Sequence, residues 1–237
     1  MKTYKIDHNK FIDEKCSEIA YILGYLWADG YIYKNQINIE LCKDDVINIL
    51  PIFNNVGVWN YYERQRTRNG LPFGKLQAKL NTSNKELVDF LSTMDYKDKE
   101  NGPIKIIKHI GPDFEPDFWH GYFDGDGCLY IRKDTHSPLT LQFWSSIDQN
   151  WSSLIQYLNM YETSYKIWKY ERLKPNGKIH RSSCFGVKNT LKIKLLLSTF
   201  YKSGLIGLDR KHEKYIELCD KISRRVTKYP TSGSYYY

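Results

Sequence analysis

The sequence predicts an α+β fold in which one unit, helix–strand–strand–helix–strand–strand–helix, occurs twice in tandem. Three observations carry this. An aromatic and apolar run ends in Asp-Gly twice, in "YILGYLWADGYIY" (Tyr21–Tyr33) and in "FWHGYFDGDGCLYI" (Phe118–Ile131), placing Asp29 and Asp126 97 positions apart. Further along, "YERQRTRNG" (Tyr62–Gly70) resembles "YERLKPNG" (Tyr170–Gly177). Later still, "LSTM" (Leu91–Met94) resembles "LSTF" (Leu197–Phe200). The order is the same and the spacing drifts by about ten residues, as a duplication with one lengthened loop would give, the extra length falling in "RKDTHSPLT".

Each element can be justified in turn. Ile19, Ala20, Ile22, Leu23, Leu26 and Trp27 are apolar on most sides of a helix, so this first helix must be buried on more than one face. Alternation follows in "YIYKNQINIEL", broken at Lys34-Asn35, and reads as a hairpin. "KDDVINILPIF" sets Val46, Ile49, Leu50 and Phe53 at helix spacing. A second hairpin turns at Asn69-Gly70, and "NKELVDFLSTM" closes the unit as a helix. The second copy repeats the series: "CLYIRKDTHSPLTLQFW" with turn residues Asp134 to Pro138, then "NWSSLIQYL" with Trp151, Leu154, Ile155 and Leu158. A hairpin turning at Asn176-Gly177 and the helix "TLKIKLLLSTF" complete it. The stretch "DKENGPIKIIKHIGPDFEPD" is rich in Gly, Pro and charge and reads as linker. The expected division is a first half at 1–100, a linker at 101–117 and a second half at 118–237.

Composition narrows the class. With 237 residues and 41% hydrophobic content the chain can bury a sizeable core. The most apolar run, Ile19 to Ala28, is half of the roughly 20 residues a bilayer crossing needs, so no membrane span is expected. The opening "MKTYKIDHNKFIDEK" is charged throughout, unlike a secretory signal. Cys16, Cys42, Cys128, Cys184 and Cys219 are odd in number and never spaced C-x-x-C, which argues against a disulfide framework and a zinc site. They read as free thiols in a reducing, intracellular compartment. An excess of 35 Lys and Arg over 27 Asp and Glu, together with 20 Tyr, 10 Phe and 6 Trp, suggests a polyanion partner, most simply nucleic acid.

The two Asp-Gly pairs carry the chemistry. Gly24 and Gly121 fall mid-helix, where glycine costs about 1 kcal/mol relative to alanine. That cost is offset where backbones must approach closely, and the evident partner is the equivalent helix of the other copy. The two helices then pack at the centre, with Gly30 and Gly127 expected to end them in left-handed caps. Pseudosymmetry brings Asp29 and Asp126 together at two helix C-termini, which already favour cations, so a divalent ion is needed there. Oxygen-only ligands point to magnesium, the usual equipment for phosphodiester hydrolysis. A calcium loop starting at Asp124 fails, because its sixth position is Leu129 and its twelfth Thr135.

"ILGYLWADG" (Ile22–Gly30) and "WHGYFDGDG" (Trp119–Gly127) resemble the two copies of the LAGLIDADG motif that names a family of homing endonucleases, and the duplicated topology extends the likeness over nearly the whole chain. The resemblance implies a single-chain pseudodimer whose antiparallel sheets form a DNA-binding saddle in the major groove, while cleavage across the minor groove leaves 3′ overhangs. It implies that Asp29 and Asp126 are catalytic and bind the metals, with the preceding Ala28 and Gly125 as further metal contacts. Magnesium is the implied cofactor, with manganese substituting and calcium supporting binding without cleavage. Asp124 is matched by Trp27 in the first copy and reads as a packing or capping residue. "LIGLDRKHEKYIEL" (Leu205–Leu218) resembles the segment that supplies a basic residue beside the metals, nominating Lys211 as catalytic and Arg210 after it. Lys97 or Lys99 are the first-half counterparts, although "DYKDKENGPIK" departs from the pattern.

On the expected saddle, Ile37, Ile39 and Leu41 would face the helices and leave Gln36, Asn38 and Glu40 toward DNA, with Lys34 at the turn. In the second half Leu139, Leu141 and Phe143 face inward, exposing Thr140, Gln142 and Trp144, with Arg132 nearby. The second hairpins add Arg64, Arg66, Arg68, Lys75, Gln77 and Lys79, then Arg172, Lys174, Lys178 and His180. β-Ribbons of this kind can enter a major groove and present alternate side chains to base edges.

The expected partner is double-stranded DNA with a long specific site, bound by a monomer. Two alternatives use the same scaffold: an intron-splicing cofactor that binds RNA, and a non-cleaving DNA-binding regulator. Acids kept in both motifs favour cleavage, and the tail after Asp220 is too short for an appended helix-turn-helix. A bacterial or phage-infected cytoplasm is expected ahead of an organelle.

Overall fold

A computed structural model of the chain describes residues 10–228, apart from positions 56, 69, 132–139 and 175. After a short turn, α1 (Lys10–Asp13), the first half runs α2 (Ser17–Asp29), β1 (Gly30–Tyr33), β2 (Gln36–Cys42), α3 (Val46–Asn54) and β3 (Asn60–Arg64). A two-residue ribbon, β4 (Thr67–Arg68) and β5 (Leu71–Pro72), leads to β6 (Gln77–Thr82) and α4 (Lys85–Thr93). After α5 (Ile104–Ile110), the second half repeats the series as α6 (Glu115–Asp126), β7 (Gly127–Tyr130), β8 (Thr140–Ser145), α7 (Ser152–Asn159), β9 (Tyr165–Leu173), β10 (Ile179–Val187) and α8 (Thr190–Phe200). A last helix, α9 (Asp209–Lys228), lies outside the repeated unit.

The duplication is visible in the sheets. One has the order β1-β2-β6-β3 and the other β7-β8-β10-β9, all neighbours antiparallel. Gly30 pairs with Ile39 and Gly127 with Phe143, so each sheet starts from its motif glycine in the same register. The β1–β2 turn places Lys34 and Asn35 at φ of 48° and 59°, the two left-handed residues that a tight hairpin turn of matching twist requires. Alternation then decides which face is buried. Ile37, Ile39, Leu41, Ala78, Leu80, Leu141, Phe143, Phe185 and Val187 pack on the helices.

α2 and α6 are the centre of the molecule. Every residue from Ile19 to Trp27 is buried, as the all-round apolar pattern demands. Gly24 of α2 lies against the backbone of Phe118 and Tyr122 in α6, and Gly121 lies against the backbone of Tyr21 and Tyr25 in α2. The contacts are reciprocal across a pseudo-two-fold axis. The stretch read as linker is partly ordered structure: α5 buries Ile106 and Ile110, and α6 already begins at Glu115. Among the described residues no helix is long and apolar enough to cross a membrane.

The closing helices start alike in the two halves. Asn84 Oδ1 accepts the Leu87 N–H at 3.2 Å, and Asn189 Oδ1 accepts the Lys192 N–H at 3.1 Å. Asn84→Ala and Asn189→Ala should each lower stability by about 1 kcal/mol, a shift of roughly 2–4 °C in a protein this size, readable by thermal unfolding. Unchanged melting in both would show that these caps contribute nothing.

Candidate active site between the motif helices

Asp29 and Asp126 end α2 and α6, and the strands β1 and β7 begin at the next residue. The helix ends touch there: a Cβ placed on Gly125 would lie 2.6 Å from Ala28 Cβ and 3.4 Å from Asp29 Oδ2. Burial raises the pKa of both carboxyls. For Asp126 the second cause is the charge of Asp29, and together they push it up to about 7. Asp29 is raised by burial against the pull of Lys211, Lys99 and Arg210. Two acids this close and this buried resist ionising together unless a cation joins them.

The left-handed glycine caps expected at Gly30 and Gly127 do not form. Both glycines are extended, at φ of −83° and −87°, because each helix runs straight into its strand. The terminal carbonyls are capped instead by ammonium groups. Lys99 Nζ donates to the carbonyls of Leu26 (3.2 Å) and Gly30 (2.6 Å), and the Tyr96 hydroxyl also donates to Leu26 (2.7 Å). Lys211 Nζ donates to the carbonyls of Phe123, Asp124 (2.7 Å) and Gly127 (3.0 Å). Leu26 and Phe123, like Gly30 and Gly127, are equivalent positions of the two motifs. Positive charge at a helix C-terminus is favourable, which is how the fold tolerates two aspartates there. Burial pushes Lys99 down to about 7 and Lys211 down to about 8. Of the two first-half candidates, then, the structure brings Lys99 to the site and leaves Lys97 exposed on the rim.

A cleft of about 880 Å³ opens over this centre, lined by Asp29, Asp126, Lys99, Tyr31, Tyr122, Ser145, Ser146 and Gln149, among others. Gln149 is buried, accepting from Trp27 Nε1 (3.3 Å) and donating to the Tyr122 hydroxyl (3.0 Å). Arg210 is held by a bidentate pair with Asp45, at 2.8 and 3.0 Å. Asp124 is fully buried and stands apart from the centre. Its Oδ2 accepts from the Tyr21 hydroxyl (2.6 Å) and the Leu208 N–H (2.8 Å), drawing the loop before α9 inward and so setting the start of the helix that carries Lys211. It packs, as read from its mismatch with Trp27.

Among the described residues no three His, Cys, Asp or Glu side chains form a ready-made metal cage. The donor set does fit a hard cation of the magnesium type, which keeps several waters and takes one or two carboxylates, its remaining positions being open to phosphate oxygens. Asp29 and Asp126 would hold it.

The saddle residues divide. Gln36, Glu40, Arg64, Gln77, Lys79, Thr140, Gln142, Trp144, Arg172 and His180 occupy the sheet faces away from the helices, by their cross-strand pairings. Lys34, Arg66, Lys75, Lys174 and Lys178 are exposed in the adjoining turns, where Arg66 lies 3.9 Å from Glu40 and Lys75 3.4 Å from Asp44. Asn38 is on the same face but only 1% exposed, wedged between Tyr31 and Asn81 in the cross-strand row, so the expectation that it meets DNA directly is corrected. Arg132 and Leu139 lie outside the described residues, as does the Arg68 side chain. Alternation also puts Tyr31, Tyr33, Tyr62, Tyr130 and Tyr170 on these faces, exposed; Tyr170 stacks on Trp144 at 5.7 Å between centroids. The sequence reading missed these rings, although the strand period carried them.

No family model and no curated protein matches the chain. Among solved structures it is similar to the homing endonuclease I-WcaI bound to its DNA recognition sequence, at 16% identity and a TM-score of 0.49, over 83% of this chain and 84% of that one. It is also similar to a variant of I-DmoI in complex with its target DNA in the presence of manganese, at 16% identity and a TM-score of 0.43, over 78% of this chain and 93% of that one. By its own architecture, the chain is a duplicated αββαββα fold, with the two equivalent helices α2 and α6 packed at the centre and their final aspartates brought together.

Proposed function

We propose that the chain is a site-specific DNA endonuclease of the LAGLIDADG type, which hydrolyses one phosphodiester in each strand across the minor groove and leaves 3′ overhangs. The juxtaposition of Asp29 and Asp126 beneath two lysine-capped helix ends carries this reading. A bound divalent ion, magnesium by the donor chemistry, would supply Lewis-acid stabilisation of the phosphate and an activated water. The protein's own part is to hold that ion with two carboxylates, to balance their charge with Lys99 and Lys211, and to seat the duplex on the two sheet faces. One chain contains both halves, so a monomer suffices. Cleavage of a randomised DNA library in magnesium, with end mapping, tests the reading. Recovery of a single long site cut with 3′ overhangs is expected, and binding without cutting would favour the regulator.

Backbone phosphates should supply much of the affinity, through Arg64, Lys79, Arg172 and the lysines of the turns. If six or more phosphates are neutralised, the dissociation constant should rise about a thousandfold between 50 and 200 mM salt. A flat salt response in a fluorescence titration would remove the saddle from the argument.

A further inference from the structure

The two lysines at the helix ends differ in how many of their protons are already engaged. An ammonium group has three N–H donors and no acceptor. Lys211 directs all three at carbonyls, those of Phe123, Asp124 and Gly127, and is 4% exposed. Lys99 meets two carbonyls, those of Leu26 and Gly30. Both ammonium groups also lie over aromatic rings, Lys99 over Tyr96 at 4.4 Å with Trp27 further off at 6.0 Å, and Lys211 over Phe123 at 4.7 Å. Lys99 lines the cleft beside Asp29 and Asp126; Lys211 is not among its lining residues.

One mismatch between the motifs separates their surroundings. Where the first copy has Trp27, the second has Asp124, whose side chain accepts the Leu208 N–H and so sets the start of the helix from which Lys211 reaches the main-chain carbonyl of residue 124; Lys99 makes no bond to the equivalent carbonyl of Trp27. Gly207, at a φ of 66°, lets that loop close against Asp124, Tyr21 and His120. The neighbours differ too. Lys99 lies between the exposed acids Asp98 and Glu100, whereas Lys211 follows Arg210, which Asp45 holds.

We propose, resting on the endonuclease reading, that the two strands are cut unequally: Lys99 uses its remaining donor on the phosphate of the strand cut first, and Lys211 is a positioning residue that caps α6 without touching substrate. In each strand a water oxygen bonds to phosphorus, one phosphorus–ester oxygen bond breaks, and the leaving oxygen takes up the proton that the water gives up. Charge builds on the phosphate oxygens meanwhile, and a donor aimed at them is worth about 10²–10³ in rate. Only the Lys99 side has one to offer among the two lysines. Cleavage therefore passes through a nicked duplex.

The test uses the full chain and the site recovered from the library, cloned in a supercoiled plasmid and also made as a duplex with a different dye on each strand. Under single-turnover conditions in magnesium, one strand should be cut at least tenfold faster and nicked circles should accumulate. Lys99→Met should uncap α2 and slow both strands to some extent, but should slow the first-cut strand about a hundredfold more than the other, as loss of one donor does, so that the order of cutting reverses or the strand rates converge. Lys211→Met should lower the melting temperature and slow both strands alike. Independently of activity, an amine-acylating reagent applied to metal-free protein should modify Lys99 at least tenfold faster than Lys211, read by peptide mass spectrometry. Equal strand rates without a nicked intermediate, a Lys211→Met effect on one strand alone, or equal acylation of the two lysines would each overturn the proposal. Failure to cut any library member defeats the endonuclease reading instead, and the acylation ratio still decides whether the two lysines differ.

Discussion

Asp126→Asn and Asp29→Asn should each abolish double-strand cleavage, leave DNA binding within a few-fold of the parent, and make the metal-free protein more stable at pH 8. The gain in stability follows from the sign of the shift. Burial and Asp29 hold the Asp126 carboxyl at about 7 in the folded protein, against about 4 for an ordinary aspartate. A group whose folded pKa is raised favours the folded state fully only below its unfolded value. Folding therefore loses stability as pH climbs from about 4 to about 7, by on the order of 1.4 kcal/mol per unit, or a few kcal/mol in all. Asparagine keeps the shape and removes that loss. Thermal unfolding in chelator should show the variant melting several degrees above the parent at pH 8, with the difference shrinking toward pH 4. Buried His120 acts in the opposite sense, its pKa lowered by burial so that its contribution is lost as pH falls below about 6.5, but it is present in both proteins and cancels in the comparison. Magnesium or calcium should raise the melting temperature of the parent more than that of the variant. Identical melting of parent and variant in chelator at pH 8 would mean that the two carboxylates do not strain the fold, and the case for a cation between them would weaken with it.

How far the sequence could be read depended on whether a feature was periodic. Helices and hairpins were legible because apolar side chains recur at the helical or strand period, and Asp29 and Asp126 were legible because the chain repeats itself. Lys99 was legible only as one of a pair with Lys97, since it reaches carbonyls 73 and 69 positions earlier from a segment that shares no local pattern with its counterpart around Lys211. For the same reason the caps were misread: a glycine after a helix suggests a left-handed turn, and nothing nearby in sequence reveals that Lys99 and Tyr96 satisfy the same carbonyls. Asn38 obeyed the strand period, yet its cross-strand neighbours Tyr31 and Asn81 flank it closely enough to bury it, and burial depends on neighbours that one strand does not contain. Gln149 sits at the site through Trp27 and Tyr122, both from motif helices, which its own surroundings give no reason to expect. α5 is hidden within a linker-like composition because the glycines and prolines flank, rather than interrupt, the short apolar run Ile104–Ile110.

Gly24→Ala and Gly121→Ala should be the most destabilising single-methyl changes in the motif helices, reversing the ordinary sign of that substitution. In a free helix, alanine is favoured over glycine by about 1 kcal/mol. Here a Cβ on Gly24 would overlap the Phe118 carbonyl oxygen and sit 2.8 Å from its carbon and 3.0 Å from the Tyr122 nitrogen. A Cβ on Gly121 meets the Tyr21 carbonyl and the Tyr25 nitrogen in the same way, at 2.8 and 2.9 Å. These are backbone atoms, so no rotamer change can make room; the helices must separate. Loss of close packing along two buried helices should cost about 3 kcal/mol or more for each variant, with the double variant failing to fold. Gly57→Ala is the control, because its Cβ would meet only Trp59 at 3.4 Å or beyond and should change stability little. The separation also carries a functional consequence, since the same helices hold Asp29 and Asp126 at their ends. Either alanine variant, assayed at a temperature where it remains folded, should lose cleavage by more than its folded fraction explains, because carboxylates moved by about 1 Å no longer share a cation in the required geometry. Full activity per folded molecule would show that the helix crossing sets stability alone and that the spacing of the two aspartates is fixed by other parts of the fold.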